Sequence, residues 1–329
     1  MGLTLFSALL SIFFISAVEC GPLLTDQPHF SDEFARTKVV PLCSATEGKD
    51  PQTCLSRTFQ NATGTSKIDN AIVGSKRPEV RQANFQALRK VTVRCDHWDT
   101  DTCNAYVALN HADKAIMMAY RGTIGQTQMI YESLSTVFQN RTAWVAGGTV
   151  STYFFNAFTA VWNGGIKDAF LSASNKYKEY ELWIVGHSLG GAMASLAASY
   201  IEKMRLFDGN RIKLVTFGQP RTGDKAFAAA HGNQIPYTFR VTHSHDVIPH
   251  VPEENFRQYY HHKSEVFYNN DMTTADYVEC DEGESLECSD QYVDRSFNDH
   301  HRYFNVYISS WGEVGCTGDP VNPSGSSVH

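Results

Sequence analysis

Leu182-Trp183-Ile184-Val185 is followed directly by Gly186-His187-Ser188-Leu189-Gly190-Gly191 and then by small residues at 192–198. An apolar run, a glycine-flanked turn and a small-residue stretch are typical of a buried strand, a sharp turn and a helix. A serine in G-x-S-x-G at such a turn is typical of a nucleophile elbow, whose strained backbone pushes the hydroxyl out of the sheet. Ser188 is therefore the candidate nucleophile. The alternative is a glycine-rich turn with an inert serine, since the bare motif occurs by chance in about one chain of this length in ten.

The apolar pattern on both sides of this stretch predicts an α/β fold. Strand-like segments lie at 91–93, 105–109, 115–120, 213–217 and 238–242, and a helical run lies around residues 154–162. Strands separated by helices predict a central, mostly parallel or mixed sheet flanked by helices on both faces. With 329 residues, 42% of them apolar, the chain fits one large domain.

The charge and the first residues narrow the class of protein. The net charge is −7, and no basic stripe is present, so nucleic acid is not an expected partner. The apolar run 3–15 ends in small residues and predicts a secretory signal peptide over residues 1–20, cleaved after Ala17 or Cys20. Because no Lys or Arg precedes the run, an uncleaved anchor is the alternative. No membrane span is expected after cleavage.

Export makes the eight cysteines candidates for disulfides. Their spacing predicts two local pairs, Cys95 with Cys103 and Cys280 with Cys288, and leaves four cysteines unassigned: Cys20, Cys43, Cys54 and Cys316. A zinc site is disfavoured because no C-x-x-C pair is present. The sequons at Asn61 and Asn140 predict N-glycosylation.

A serine hydroxyl is a weak nucleophile at neutral pH, so the rest of a triad must be sought. An imidazole has to take the serine proton, and a carboxylate has to hold that imidazole. Asp246 follows a predicted strand end and is either the catalytic acid or a turn-forming aspartate. Two adjacent histidines near the end of the chain, His300 and His301, are candidate bases, with His261 and His262 as rivals.

Five sequence blocks, in this order, resemble those of the fungal-type class 3 lipases. They are Tyr-Arg-Gly-Thr at 120–123, Gly-His-Ser-Leu-Gly-Gly at 186–191, Phe-Gly-Gln-Pro-Arg-Thr-Gly at 217–223, Arg-Val-Thr-His-Ser-His-Asp-Val-Ile-Pro at 240–249 and His-His-Arg-Tyr-Phe at 300–304. The resemblance implies an α/β-hydrolase fold over residues 25–316 and a triad of Ser188, Asp246 and His300. It selects His300 over His301 because the family places its histidine three residues before the tyrosine of Tyr-Phe. Residues 317–329 are expected to be a flexible tail.

The resemblance also implies an oxyanion hole and a lid. Thr123 and Leu189 match the family's oxyanion-hole positions, where the loss of one donor costs about 3 kcal/mol. The family carries a short helical lid after the Arg-Gly pair, which corresponds to residues 124–134 here. Between Thr123 and Asn140, four residues at helical spacing form an apolar face: Ile130, Leu134, Val137 and Phe138. The alternative is an ordinary surface helix packed on the core.

The sequence therefore predicts a secreted serine carboxylic-ester hydrolase. The leading prediction is a triacylglycerol lipase that forms an acyl-enzyme and needs no cofactor or metal. A phospholipase A and a feruloyl or general esterase are alternatives on the same site. A lipid-binding protein without turnover is the alternative from another class. The expected partner is a lipid or ester substrate, encountered at an oil–water interface if the lid is present.

Overall fold

An eight-stranded mixed sheet forms the centre of the computed structural model, which describes residues 28–60, 85–95, 102–122, 137–254 and 256–322. The strand order is β1-β2-β3-β6-β7-β9-β11-β12. Strands β3, β6, β7, β9 and β11 run parallel, while β1, β2 and β3 pair antiparallel, as do β11 and β12. The mixed sheet predicted from the sequence is confirmed. These strands are β1 (Phe85–Arg94), β2 (Thr102–Asn110), β3 (Ala115–Arg121), β6 (Glu181–His187), β7 (Ile212–Phe217), β9 (Tyr237–His243), β11 (Glu265–Tyr268) and β12 (Val278–Cys280).

Shorter strands and the helices complete the described chain. A small sheet has the order β10-β8-β5-β4, and β13 and β14 form a hairpin. These strands are β4 (Arg141–Ala143), β5 (Thr149–Ser151), β8 (Gly223–Asp224), β10 (Tyr259–Tyr260), β13 (Arg302–Tyr303) and β14 (Val306–Tyr307). The helices are α1 (Asp32–Phe34), α2 (Val40–Glu47), α3 (Pro51–Gln60), α4 (Thr152–Val161), α5 (Lys167–Lys176), α6 (Leu189–Lys203), α7 (Lys225–Gln234), α8 (Phe297–His301) and α9 (Ile308–Glu313), with π-helical stretches at Ala35–Val39 and Trp162–Ile166.

Helices cover both faces of the central sheet. On β6 the side chains alternate, so that Leu182 and Ile184 enter one apolar core and Trp183 and Val185 enter the other. The first core is closed by α4, α5 and α6, and the second by the segments near the two ends of the described chain. Because both faces are buried, β6 is apolar from Leu182 to Val185 instead of alternating with polar residues.

The topology places four loops at one edge of the sheet. β3, β6, β7 and β9 are neighbouring parallel strands, so their carboxyl ends lie together. The residues that leave these ends are Gly122, Ser188, Gly218 and, three residues beyond β9, Asp246. This edge is where open α/β sheets form their sites.

Three disulfides link six of the seven described cysteines, and Cys43 is buried and free. The predicted pairs Cys95–Cys103 and Cys280–Cys288 are confirmed. The third joins Cys54 in α3 to Cys316 beyond α9, with the two Cα atoms 4.9 Å apart. The first described helices are thereby tied to the last one across 262 residues of sequence.

Replacing Cys316 with alanine is expected to lower the free energy of unfolding by about 2–5 kcal/mol, because the unfolded chain loses a long closed loop. Denaturant titration of Cys316→Ala and of the double variant Cys54→Ala/Cys316→Ala measures it. The two variants should be equally unstable under non-reducing conditions. Peptide mapping that finds Cys43 bonded to Cys316 would contradict the pairing.

Candidate active site

Ser188 lies in the sharp turn between β6 and α6. Its backbone has φ 58° and ψ −132°, a strained conformation for a residue with a side chain. The turn is held by hydrogen bonds from the Ser188 amide to the Phe217 carbonyl and from the Gly191 amide to the Ser188 carbonyl, both 2.9 Å. The serine hydroxyl is therefore presented at the carboxyl edge of the sheet by a fixed backbone.

The glycines on both sides of the turn are required by close packing. A Cβ on Gly186 would lie 2.3 Å from the Gly190 carbonyl oxygen, and one on Gly190 would lie 2.2 Å from that of Tyr120. Neither backbone atom can move aside without shifting β3 or α6. The sequence pattern G-x-S-x-G thus corresponds here to contact between strand and helix backbones.

Asp246 and His300 meet although 54 residues separate them. The Nδ1 atom of His300 lies 2.9 Å from Oδ2 and 3.0 Å from Oδ1 of Asp246. Their loops are joined by backbone hydrogen bonds from Ser296 to His245 (2.7 Å) and from Val247 to Ser296 (3.3 Å). Both side chains are buried. A neutral His300 therefore carries its proton on Nδ1 and leaves Nε2 free to accept one.

The carboxylate of Asp246 accepts two further hydrogen bonds. The Tyr303 hydroxyl donates to Oδ2 at 2.6 Å, and the Ile248 amide donates to Oδ1 at 2.9 Å. Burial alone would raise the pKa of Asp246, but His300 and these two donors together hold it below its ordinary value. Asp246 is therefore an anion at neutral pH.

Ser188 Oγ and His300 Nε2 are the unpaired atoms of this cluster. Both are buried, and neither has a hydrogen-bond partner among the described residues. The two atoms are also not hydrogen-bonded to each other. Buried polar atoms are rarely left without partners, and functional sites are where the exceptions occur. Catalytic hydrogen bonds are often long in unliganded enzymes and shorten when substrate binds.

Gly218 is a site residue that the sequence reasoning missed. It follows β7 directly and has φ 56°. A Cβ on Gly218 would lie 2.7 Å from Asp246 Oδ2 and 2.8 Å from His300 Nδ1. Only glycine leaves room for the Asp246–His300 pair at this place. The available signal was a glycine directly after an apolar strand, in the third of the five sequence blocks, 217–223.

His187 also holds His300 and was also missed. The two rings stack with their centroids 4.5 Å apart, and His187 Nε2 lies 2.8 Å from the His300 carbonyl oxygen. Burial, assisted by the neighbouring His300, lowers the pKa of His187 to about 3. His187 is therefore neutral and donates from Nε2 to that carbonyl.

Of the two predicted oxyanion-hole residues, Leu189 lies within the described residues and Thr123 does not. Leu189 is the first residue of α6, where backbone amides have no acceptor within the helix. Thr123 and the predicted lid at 124–134 lie outside the described residues. Gly122 is the last described residue before them, and a Cβ there would lie 2.4 Å from Leu189 Cβ, so the end of β3 packs against the start of α6.

The rival histidines are engaged elsewhere. His261 Nε2 lies 2.7 Å from the Pro249 carbonyl oxygen, and His262 Nε2 lies 3.0 Å from Ser195 Oγ and 3.1 Å from Gln219 Nε2. Burial lowers the pKa of both histidines well below the ordinary value. Both are neutral residues of the core.

Replacing Tyr303 with phenylalanine is expected to lower kcat/KM on the order of 10-fold, because one charge-assisted hydrogen bond to Asp246 is lost.

The depressed pKa of Asp246 stabilises the folded protein above the carboxyl's unfolded pKa, and this stabilisation is lost as the pH falls through the folded pKa. In Tyr303→Phe the folded pKa is depressed less, so this stabilisation should be smaller and should be lost completely at a higher pH than in the wild type. Unfolding free energies measured from pH 7 downwards test this, and coincident pH profiles of the two proteins would contradict it.

Comparison with known proteins places these features in a family. The family described as lipase (class 3) matches residues 117–256, which include Ser188 and Asp246 and end before His300. Lipase ZK262.3 of Caenorhabditis elegans is 30% identical over 91% of this chain and 85% of its own length. Secreted mono- and diacylglycerol lipase 1 of Fusarium solani is 32% identical over a match that covers 61% of this chain and 59% of that protein.

Solved structures agree with this assignment. The crystal structure of the lipase from Rhizopus microsporus var. chinensis superposes with a TM-score of 0.61 at 25% identity, over 71% of this chain and 77% of that one. A triacylglycerol lipase structure with 22% identity gives a TM-score of 0.65 over 85% of this chain. The α/β-hydrolase fold predicted from the sequence is confirmed. The chain is a carboxylic ester hydrolase and belongs to the class 3 lipase family.

Proposed function

We propose that this protein is a secreted triacylglycerol lipase that uses Ser188, His300 and Asp246 as its catalytic triad. The observation that carries the proposal is the His300 ring, whose Nδ1 is held by the Asp246 carboxylate while its Nε2 has no partner among the described residues. A base for a serine hydroxyl requires this tautomer. Ser188 Oγ, also unpaired, is presented by the strained turn at the same edge of the sheet.

The chemistry follows from these positions. His300 Nε2 accepts the proton of Ser188 as Oγ attacks the ester carbonyl carbon, and the ionised Asp246 stabilises the resulting imidazolium. The amides of Leu189 and Thr123 hold the tetrahedral oxyanion. His300 then gives the proton to the departing alcohol oxygen, which leaves an acyl-enzyme. Water activated by the same histidine releases the acid.

The glyceride substrate and the secreted location rest on supporting observations. The Fusarium relative is described as a secreted mono- and diacylglycerol lipase. Three disulfides favour an oxidising compartment, as does the predicted signal peptide at 1–20. Asn140, the described sequon asparagine, is exposed and can take a glycan. Among the described residues, none of the helices has the length and apolar character needed to span a membrane.

A substrate panel tests the proposal. Initial rates are measured on a soluble short-chain ester, an emulsified long-chain triglyceride and phosphatidylcholine vesicles, with concentrations spanning each solubility limit. A triacylglycerol lipase should be fastest on the emulsion, and a lid should make the rate rise above the solubility limit. Activity confined to the vesicles would identify a phospholipase, and activity confined to the soluble ester a general esterase.

A fluorophosphonate probe separates the enzyme from the lipid-binding alternative. The probe reacts only with a serine that a neighbouring base has activated. Labelling mapped to Ser188 is expected. An unlabelled protein that still binds lipid would overturn the proposal.

A further inference from the structure

His243, the last residue of β9, has both ring nitrogens directed at backbone carbonyl oxygens. Its Nδ1 lies 3.0 Å from the carbonyl oxygen of Asp299, and its Nε2 lies 3.0 Å from that of Asn270. The side chain is buried, with 7% exposure. A carbonyl oxygen accepts hydrogen bonds and never donates one, so each contact is a hydrogen bond only when that ring nitrogen carries a proton.

A neutral imidazole can satisfy one of these carbonyls but not both, because it has a single N–H. Its other nitrogen would direct a lone pair at a carbonyl oxygen in a buried place, which is unfavourable. We propose that His243 is doubly protonated and, as a cation, ties the peptide that precedes His300 to β9 and to the loop after β11. The proposal rests on the proposed role of His300 as the catalytic base.

Charged and titratable groups lie on each of the elements packed against His243. His245 and the ionised Asp246 lie on the loop that follows His243. His300 and Asp299 lie on α8, and the Asp299 carboxylate accepts from the His245 amide at 3.1 Å. From β13, the Tyr303 ring lies 5.8 Å from that of His243. Tyr268, on β11, pairs with His243 in the sheet. Asp271 follows Asn270 in the loop after β11. Two cations face the same loop: Arg302, which opens β13 and interacts electrostatically with Asp271, and Arg36, whose Nη1 donates to the Met272 carbonyl at 2.6 Å.

The contact with Asp299 bears directly on the orientation of His300. The Asp299 carbonyl and the His300 amide belong to one planar peptide, so holding that oxygen fixes the backbone of His300 on its N-terminal side. On the other side, His187 holds the His300 carbonyl at 2.8 Å. Two imidazoles therefore fix the two peptides that flank the catalytic base.

The helix that carries His300 needs such support. α8 spans only Phe297–His301, so few N–H donors within the helix reach its last carbonyls; the Asp299 carbonyl accepts from the Arg302 amide, and its second lone pair faces His243. A cation close to carbonyls at a helix C-terminus is electrostatically favoured. His243 is therefore a positioning residue, since its action on the reaction passes through His300.

Two conservative variants separate its two hydrogen bonds. The amide nitrogen of asparagine occupies the place of histidine Nδ1, and that of glutamine the place of Nε2. We expect His243→Gln, which loses the bond to Asp299, to lower kcat by 10- to 100-fold with little change in KM, because small displacements of a catalytic group have effects of that order. His243→Asn, which keeps that bond, should stay within several-fold of wild type. Equal losses in both variants would overturn the proposal.

Nitrogen NMR of the wild-type protein reads the protonation state directly. With ¹⁵N-labelled histidine, both ring nitrogens of His243 should show imidazolium shifts at the pH of maximal activity, and these signals should vanish in His243→Gln. One protonated and one bare nitrogen at that pH would overturn the proposal. This readout does not depend on turnover or on the fold of a variant. Failure of Ser188 to react with the fluorophosphonate probe would instead count against the proposed function.

Discussion

Replacing Ser188 with alanine is expected to lower kcat by roughly 10³-fold or more while the protein stays folded. The reaction loses its nucleophile, and any remaining rate comes from substrate binding and oxyanion stabilisation alone. The fold should tolerate the change because, among the described residues, the Ser188 hydroxyl makes no hydrogen bond that alanine would remove. Hydrolysis of a soluble ester, together with a thermal unfolding curve, measures both parts of this expectation.

Ser195 provides a matched control for Ser188. It lies on α6, the helix that follows Ser188, is fully buried, and has its Oγ 3.0 Å from His262 Nε2, so it forms a second serine–histidine pair. Ser195→Ala should leave kcat close to wild type and should lower stability by about 1–3 kcal/mol, because His262 loses a buried partner. If Ser195→Ala removed activity and Ser188→Ala did not, the site assignment would be wrong.

Replacing His300 with alanine is expected to have an effect as large as the loss of Ser188, because the members of a triad act as a unit. The base disappears, and the ionised, buried Asp246 loses the hydrogen bond from His300 Nδ1. Both kcat on a soluble ester and the rate of fluorophosphonate labelling should fall by roughly 10³-fold or more. The labelling rate is informative because it reports activation of the serine without requiring product release.

His301→Ala is the matched control for the adjacent histidine. Burial, assisted by His300, lowers the pKa of His301 to about 4, so it is neutral at pH 7 and its replacement removes no charge. We expect a mild effect on kcat. A severe loss in His301→Ala with an active His300→Ala would show that the two histidines had been assigned in the wrong order.

How well a segment could be predicted depends on where its side chains point. β3, which is buried along its whole length, was predicted at 115–120 and runs Ala115–Arg121. β1, at the edge of the sheet, was predicted only at 91–93 but runs Phe85–Arg94. Exposed polar residues such as Gln86, Arg89 and Thr92 interrupt its apolar pattern. Sequence reading therefore found the long buried strands, missed the four-residue buried strand β11 and underestimated the half-exposed β1.

Features that depend on contacts between distant segments could not be read in the same way. Cys43 and Cys54 are both buried in consecutive helices, and only the packing of those helices shows that Cys54 faces Cys316. Gly218 is required by two side chains that follow it by 28 and 82 positions, Asp246 and His300. The local motif around Ser188, in contrast, contains its own explanation, because its strand, turn and helix are adjacent in sequence.

The strained turn at Ser188 has a consequence for any effort to evolve this protein. A left-handed backbone at a non-glycine residue costs on the order of 1–3 kcal/mol. The buried hydroxyl adds to this, because no described residue pairs with it. Ser188→Gly would relax both, so a library screened for heat resistance alone should accumulate that change and lose its catalyst. Directed evolution of this protein therefore has to screen for turnover in every round, because selection for heat resistance favours glycine at position 188 and catalysis requires serine.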